Sequence, residues 1–338
     1  MTEREIKDLA DSSIYLGKTL HGTLEETHIS WIILTTRIAF KIKKPLKLSF
    51  LDFSTLARRK RYCERELLLN RRFSGIYQRV VPVKFHDGAW RLGGGAGKIA
   101  DYAVVMKRLD SSKRMDLLLQ SGKVRASQIR ALAKKIASFH RKTTIIRRPF
   151  STDSSAEAFN DIRVILEIIE KDFSKKYADI VRRSGEWSDG FLLRYKKRFR
   201  ERIGLGFQRD VHGDLHSGNI FLYRTPEIFD CIEFNDRYRQ IDVLNEIAFF
   251  CMDLEAFGYQ KLAALFVVEY NRLFPCFLKQ EDQYLFAYFK CYRANVRAKV
   301  HALAAAQEEN PSRYRTHADA VRKYLLLMEG YMKHPEWG

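Results

Sequence analysis

The sequence predicts an α+β protein with a small N-terminal lobe built on an antiparallel sheet and a larger, helical C-terminal lobe. Short segments rich in β-branched residues concentrate in the first third of the chain, and helical periodicity dominates the remainder. Strands and helices that are segregated along the chain are typical of α+β architecture. We therefore divide the 338-residue chain into lobes at residues 1–109 and 110–338.

The N-terminal lobe is predicted to contain two hairpins, one helix and one further strand. The pair Asp87-Gly88 is a strong turn signal between two apolar segments. Before this turn, apolar residues recur at helical spacing over the Arg-rich segment Leu56–Phe73. In chain order, the predicted elements are the strands Ile29–Leu34 and Ile38–Ile42, the helix Leu56–Phe73, and the strands Val80–Phe85, Trp90–Leu92 and Tyr102–Met106.

The C-terminal lobe is predicted to be helical apart from one strand-rich island, Val211–Ile232. Its helices are expected from apolar residues that recur with a period of 3.6. They are predicted over Ala126–Arg141, Ala156–Lys175, Phe191–Ile203, Leu244–Phe257, Tyr259–Leu273, Glu281–Gln307 and Ser312–Lys333.

The chain is strongly basic, with a net charge of +19 from 60 Lys and Arg against 41 Asp and Glu residues. Such an excess is expected of a protein with phosphate-bearing partners, or of a solvated basic surface. Because the Lys and Arg residues are dispersed along the chain, a solvated surface is favoured and a nucleic-acid-binding role is disfavoured.

Cysteine usage and apolar patterning predict a cytoplasmic protein. The five cysteines form no C-x-x-C pair, which argues against a disulfide framework and a zinc site. Residues Met1–Leu9 are polar and charged, so no signal peptide is expected. No apolar run reaches about 18 residues, so no membrane span is expected.

The segment Val211–Ile220 carries the strongest chemical signal in the chain. It contains His212, Asp214 and Asn219 at the spacing of a kinase catalytic loop. Asp230 follows eleven residues after Asn219 in an apolar, strand-like run. Phosphoryl transfer needs a carboxylate beside the attacking hydroxyl and hard oxygen ligands for the magnesium ion that bridges the phosphates. These residue types at this spacing therefore predict phosphoryl transfer.

The segments His212-Gly-Asp-Leu-His-Ser-Gly-Asn219 and Phe229-Asp-Cys-Ile-Glu-Phe234 resemble the aminoglycoside phosphotransferase and choline kinase superfamily. The resemblance is closest to a bacterial aminoglycoside-phosphotransferase-like branch. It extends over the segments Glu26–Trp31, Phe40–Pro45, Leu51–Ser54 and Tyr292–Lys299. It implies a protein-kinase-like, two-lobed fold with Asp214 as catalytic base and Asn219 and Asp230 as Mg²⁺ ligands.

Further nucleotide contacts are expected in the N-terminal lobe. The run Ile38-Ala-Phe-Lys41 is similar to the V-A-I-K strand whose lysine contacts the phosphates of ATP. Lys43 lies on the same strand face and stays an alternative to Lys41. A helix glutamate usually holds this lysine, and Glu66 fits that role better than Glu64.

The linker between the lobes is the remaining predicted nucleotide contact. We expect the backbone of Met106-Lys-Arg-Leu109 to pair with adenine, with Met106 and Arg108 among the nucleotide-binding residues. No G-x-G-x-x-G precedes the lysine strand, so residues 27–30 are the expected phosphate cover.

The polar residues around the predicted acceptor leave alternatives open. Glu233 and Asp236 could face a cationic substrate or lie on a solvated loop. Arg293 and Arg297, four residues apart on one helix face, could pair with the acidic loop after Asp230 or bind an anionic acceptor. The structural pairing is favoured.

The resulting hypothesis is an ATP- and Mg²⁺-dependent kinase that phosphorylates a hydroxyl group of a small molecule. An atypical protein kinase is disfavoured, because D-F-G and A-P-E elements are missing and Gly213 replaces the usual Arg. A non-catalytic nucleotide-binding protein is disfavoured because Asp214, Asn219 and Asp230 are all present. A nucleic-acid-binding module would bind in a salt-dependent manner without hydrolysing ATP.

Overall fold

The structure is a computed structural model that describes residues 1–48 and 51–333. Its strands are β1 (Ser13–Tyr15), β2 (Lys18–Leu20), β3 (Thr23–Glu26), β4 (Ser30–Leu34), β5 (Ile38–Lys43), β6 (Tyr77–His86), β7 (Ala89–Leu92), β8 (Lys98–Lys107), β9 (Gln208–Asp210), β10 (Ile220–Phe221), β11 (Glu227–Ile228) and β12 (Gln240–Asp242). Its helices are α1 (Glu3–Asp11), α2 (Leu56–Asn70), α3 (Met115–Gln120), α4 (Ala126–Lys142), α5 (Thr152–Asn160), α6 (Leu166–Asp172), α7 (Lys175–Arg194), α8 (Lys196–Gly204), α9 (Asp236–Arg239), α10 (Val243–Ala256), α11 (Gln260–Leu273), α12 (Gln280–Ala306) and α13 (Pro311–Met332).

The N-terminal sheet has the strand order β2-β1-β7-β6-β8-β5-β4-β3. All neighbouring pairs are antiparallel except β1 and β7, which run parallel. The predicted α+β class, with an antiparallel-rich N-terminal sheet and a helical C-terminal region, is confirmed. The strands β1–β3 and the helix α1 were not predicted from the sequence.

The sheet buries both of its faces, and the alternation of β5 decides which side chains reach which face. Phe40 and Ile42 pack with α1 in one apolar cluster. Ala39 lies on the opposite face and packs against Cys63 of α2. Successive strand residues alternate between faces, so Lys41 and Lys43 share the α2 face with Ala39.

The chain forms two compact units, each built from two separate segments of the chain. The first unit comprises Met1–Leu118 with Gly218–Arg239, and the second comprises Leu119–Ser217 with the chain from Gln240 onward. The functional division at residues 109 and 110 stays a prediction. Within residues 1–48 and 51–333, no helix combines the length and the apolarity that crossing a bilayer requires.

The helical unit buries an aromatic cluster around Tyr288 of α12. The Tyr288 ring stacks on Phe191 and Trp187 of α7, with centroids 4.6 and 5.7 Å apart, and on Phe159 of α5 at 5.8 Å. Stacked aromatic rings contribute large apolar areas to a core. This cluster joins α5, α7 and α12.

Several predicted helix bounds in this unit are wrong. The predicted helix over 156–175 is broken into α5, a 3₁₀ segment at Asp161–Ile165 and α6. The helix predicted over Phe191–Ile203 is divided between the end of α7, which begins at Lys175, and α8. Ser and Gly residues interrupt the apolar residues on the buried face of α7, and a Cβ added to Gly185 would lie 2.4 Å from Asn160 Oδ1. Close packing at these small residues interrupts the apolar period that the sequence prediction required.

Candidate active site

Two buried lysines on β5 share one glutamate of α2. Thr55 caps the start of α2, and its side chain accepts from the backbone N–H of Arg58. Glu66, on the third turn, is fully buried. Its Oε1 lies 2.9 Å from Lys41 Nζ, and its Oε2 lies 2.8 Å from Lys43 Nζ. The carboxylate therefore bridges the two ammonium groups.

The segment after β11 supplies a carboxylate to each lysine from the other side. Asp230 Oδ1 lies 2.5 Å from Lys41 Nζ, and Glu233 forms an ion pair with Lys43. The five side chains alternate in charge in the order Asp230, Lys41, Glu66, Lys43 and Glu233. We call this row the charge ladder. Lys43 and Glu233 are buried at one end, whereas the Asp230 side chain is 42% exposed at the other.

Asp230 has an unusual backbone conformation that aims its side chain at Lys41. Its φ angle is +63°, in a region that residues other than glycine rarely adopt. Its N–H donates to Tyr77 Oη at 3.0 Å, and the N–H of Cys231 donates to Asn70 Oδ1 at 2.8 Å. The expectation that Asp230 lies on a strand is wrong, because β11 ends at Ile228. Backbone strain of this kind often accompanies function.

Mutual attraction keeps Lys41 and Glu66 ionised despite their burial. Burial alone lowers the pKa of Lys41, but the carboxylates of Asp230 and Glu66 outweigh it and raise that pKa well above its usual value. Burial raises the pKa of Glu66, and Lys41 and Lys43 outweigh this effect and lower it to about 2. The bridging carboxylate is therefore ionised throughout the neutral range.

This pKa shift predicts an acid-dependent loss of stability. A carboxyl group with a depressed folded-state pKa stabilises the fold above its unfolded pKa, and the contribution is lost as the pH falls through the folded value. For Glu66 the window runs from 4.5 down to about 2. We expect the difference in unfolding free energy between wild type and Glu66→Gln to shrink as the pH falls through this window. Urea unfolding at a series of pH values measures it, and a constant difference would contradict the shift.

Asn219 and Asp230 are neighbours through the backbone in the first unit. The N–H of Phe229 donates to the carbonyl of Asn219 at 3.1 Å, and β10 pairs with β11 between them. An amide oxygen and a partly exposed carboxylate are hard donors of the kind that Mg²⁺ prefers. Among the described residues, no three His, Cys, Asp or Glu side chains form a metal cluster. Because Mg²⁺ usually takes few protein ligands, together with phosphates and water, this donor set fits it.

Met106 and Arg108 lie at the end of β8. Met106 is buried and pairs with Ala39 of β5 and Tyr77 of β6. The N–H of Arg108 donates to the carbonyl of Arg37 at 2.9 Å, and its guanidinium donates to the carbonyl of Thr35 at 2.7 Å. The nucleotide contacts predicted for both residues stay predictions.

Asp214 lies in the second unit, on a loop without regular secondary structure. Its N–H donates to His212 Nδ1 at 3.3 Å, and its Oδ2 lies 3.4 Å from His216 Nε2. Burial raises the pKa of Asp214, but the charge and hydrogen bond of His216 outweigh it, so the pKa lies below its usual value. Its side chain is 38% exposed. An ionised carboxylate is therefore available to orient a hydroxyl group.

Buried side chains from two helices hold the Asp214 loop. Glu246 of α10 accepts the N–H groups of His212 and Gly213 at 2.8 and 2.9 Å. Arg293 of α12 donates to the carbonyl of Gly213 at 3.1 Å and to Asn245 Oδ1. The favoured pairing of Arg293 with the acidic loop after Asp230 is wrong, because Arg293 contacts the Asp214 loop.

The other acidic candidates are structural. Glu233 was expected to face a substrate or solvent, but it is buried against Lys43. Asp236 forms ion pairs with Arg65 of α2 and with Arg239. Sequence reasoning missed the contact of Glu233 because it joins positions 190 residues apart. The only available signal was a second lysine on the same face of β5.

Comparison with other sequences gives uncharacterised relatives. No family model matches the sequence. Two uncharacterised proteins, from Mycobacterium bovis and Mycobacterium tuberculosis, are each 29% identical over 320 residues. The match covers 92% of this chain, and the chain spans about 60% of the length of these relatives.

Comparison with solved structures defines the fold. A choline/ethanolamine kinase family protein from Mesorhizobium loti is similar with a TM-score of 0.56 and 12% identity, over 100% of this chain and 97% of that one. Choline kinase from Cryptosporidium parvum gives 0.54 and 12%, over 93% and 91%. A thermostable mutant of aminoglycoside phosphotransferase APH(4)-Ia gives 0.51 and 11%, over 98% of both chains.

These likenesses show that the chain has a kinase-like fold. The fold is the one found in choline/ethanolamine kinase structures and in an aminoglycoside phosphotransferase. The fold class predicted from the catalytic-loop motif is confirmed. At 11–12% identity the reaction has to be inferred from the site itself.

Proposed function

We propose that the protein is a small-molecule kinase that transfers the γ-phosphate of ATP to a hydroxyl group. Asp214 orients the acceptor hydroxyl and accepts its proton. Lys41, held by Glu66, binds the nucleotide phosphates, and Met106 and Arg108 line the adenine side. Asn219 and Asp230 are the Mg²⁺ ligands, and the bound ion neutralises charge on the phosphates.

The charge ladder is the observation that carries this proposal. A lysine on a central strand, a helix glutamate and a carboxylate after a short strand form the arrangement that positions phosphates in kinases. Here, Lys41 lies between Glu66 and Asp230 at ion-pair distance from both. Asp214 supplies the separate carboxylate that the transfer requires. Positioning and charge neutralisation provide most of the acceleration in such reactions.

The ladder also favours Lys41 over Lys43 as the phosphate-binding lysine. Lys41 contacts the partly exposed Asp230, whereas Lys43 is fully enclosed between Glu66 and Glu233. Lys43 is thus suited to holding Glu66 in place, and Lys41 is suited to meeting a ligand.

Replacing each lysine by methionine separates these roles. Lys41→Met is expected to lower kcat/KM by about 100-fold or more, because it removes a charge that faces the phosphates. Lys43→Met leaves Glu233 buried without its lysine, and we expect it to cost about 3–5 kcal/mol of stability. Its folded fraction should retain kcat/KM within about tenfold. Steady-state kinetics and urea unfolding of both variants provide the test, and the reverse pattern would assign the phosphate role to Lys43.

The reaction itself is tested by ATP consumption with a panel of hydroxyl-bearing metabolites and aminoglycosides. Phosphate transfer to at least one acceptor, abolished in Asp214→Asn, is the expected result. Magnesium-nucleotide binding without transfer to any acceptor would favour the non-catalytic alternative. Transfer to a protein substrate alone would favour an atypical protein kinase.

A further inference from the structure

Helix α12 presents a polar row that extends past the Asp214 loop. Arg293, Arg297 and His301 recur every four residues and therefore lie on one helix face. Arg293 reaches the carbonyl of Gly213, beside Asp214. Arg297 and His301 continue the row in steps of about 6 Å along the axis. Both are half-buried, and Arg297 Nη2 lies 3.1 Å from His301 Nε2.

Helix α13 contributes further side chains that contact this row of α12. His301 Nδ1 lies 3.0 Å from His317 Nδ1. The side chains of Arg297 and Lys323 lie 5.6 and 5.2 Å from the ring centre of Tyr324. We call Arg297, His301, His317 and Lys323 the cationic cluster. Its four members are all half-buried.

The positive charge of this cluster has no counter-ion in contact. In the described part of the chain, no carboxylate lies within the 4.0 Å ion-pair distance of Arg297 or Lys323. Arg297 Nε is also buried without a hydrogen-bond acceptor. Asp253 attracts both Arg297 and Lys323 from beyond the ion-pair distance, and its carboxylate accepts the N–H of Ser217 at 2.7 Å. Half-buried cations and an unsatisfied N–H donor are costly unless a ligand completes them, and an anion does so best.

The electrostatics of His301 agree with an excess of positive charge. Burial, followed by the charges of Arg297, His317 and Lys323, lowers the pKa of His301 to about 3. His301 therefore stays neutral at physiological pH and accepts from Arg297 through Nε2. Burial raises the pKa of Asp214, and His216, His212 and, least of all, Arg297 lower it, so Arg297 lies within electrostatic range of the proposed base.

We propose that the cationic cluster is the binding site for an acidic group of the acceptor, a carboxylate or a phosphate, with Arg297 and Lys323 as its main contacts. This inference rests on the proposed function, because it places the acceptor hydroxyl at Asp214. The acceptor class is then a hydroxyl-bearing anion. The site thus differs from what a cationic amino alcohol or aminoglycoside would need.

Matched acceptor pairs test the class directly. Glucose is compared with gluconate and with glucose 6-phosphate, and glycerol with glycerate and with glycerol 3-phosphate; choline and kanamycin represent cations. ATP consumption is measured for each. We expect at least one acidic member to be used with a kcat/KM about tenfold or more above its neutral partner. The carboxylate and phosphate members separate the two possible acidic groups.

Variants of the cluster test the contact. Arg297→Gln should raise the KM of the acidic acceptor about tenfold or more and leave the KM of ATP nearly unchanged. Arg315→Gln removes a charge from an exposed position of α13 and is the matched control. Inorganic phosphate is titrated calorimetrically without nucleotide, and we expect its Kd to weaken about tenfold in Arg297→Gln but not in Arg315→Gln.

The outcomes separate this inference from the proposed function. Use of neutral or cationic acceptors alone, or an effect of Arg297→Gln confined to the KM of ATP, would overturn the inference and leave the kinase intact. If no acceptor is used, the proposed function is what fails, and the phosphate titration decides on the site. Weaker phosphate binding by Arg297→Gln than by wild type then supports an anion site. Equal phosphate binding by the two proteins overturns it.

Discussion

Asp214→Asn should lower kcat by about 10³- to 10⁴-fold, because the variant loses the carboxylate that orients the acceptor hydroxyl and accepts its proton. The side chain is 38% exposed, and the loop around it is held by Glu246 and Arg293. We therefore expect the unfolding free energy to change by less than about 1 kcal/mol. Kinetics with the best acceptor of the panel and urea unfolding measure the two effects.

The matched control for this variant is His216→Gln. His216 lies 3.4 Å from Asp214 and contributes most to the lowering of its pKa, yet it leaves the carboxylate in place. A loss of about tenfold or less is expected for His216→Gln, since the residue acts only through Asp214. An Asp214→Asn variant that keeps more than a tenth of the wild-type rate would remove Asp214 from the mechanism.

Glu66→Gln should strongly lower both the stability of the first unit and the turnover. Glu66 is fully buried and contacts two buried lysines at 2.9 and 2.8 Å. Removing its charge leaves two ammonium groups with only one carboxylate each, a change that costs about 3–5 kcal/mol. Turnover should fall as well, because Lys41 loses the group that holds it. Urea unfolding followed by the fluorescence of the buried Trp31 and Trp90 measures the loss of stability.

Glu64→Gln is the natural control, since it is the same substitution two residues earlier on α2. The Glu64 side chain is 56% exposed and lies 3.8 Å from Lys60. Exposed pairs of this kind contribute little to stability. Unfolding midpoints should therefore match for Glu64→Gln and wild type. Equal stability of Glu66→Gln and Glu64→Gln would mean that the charge ladder does not stabilise the fold.

The sequence was sufficient to predict the fold class and the residues of the candidate catalytic loop, because both depend on local patterns. The alternation in Ile38–Ile42 predicted the face shared by Lys41 and Lys43. The spacing of Asp214 and Asn219, which lie close in the chain, marked the candidate catalytic loop. These features involve residues close in the chain, so periodicity and motif spacing were enough.

Contacts between distant positions could not be predicted in the same way. Lys43 and Glu233 are 190 residues apart, and the positive φ of Asp230 depends on the hydroxyl of Tyr77 and on Asn70. An apolar run around Asp230 indicated a strand, but this tertiary network overrides local propensity. Helix α7 escaped detection for a different reason, because Ser184, Gly185 and Ser188 interrupt the apolar residues of its buried face.

Calorimetric titration with a non-hydrolysable ATP analogue, with and without Mg²⁺, tests the central claim most directly. The wild-type protein is predicted to release heat on binding the analogue when Mg²⁺ is present, and Lys41→Met and Asp230→Asn should each lose most of this binding. Wild type that binds no magnesium nucleotide, or variants that bind it as tightly as wild type, would contradict a nucleotide site built on Lys41, Glu66 and Asp230.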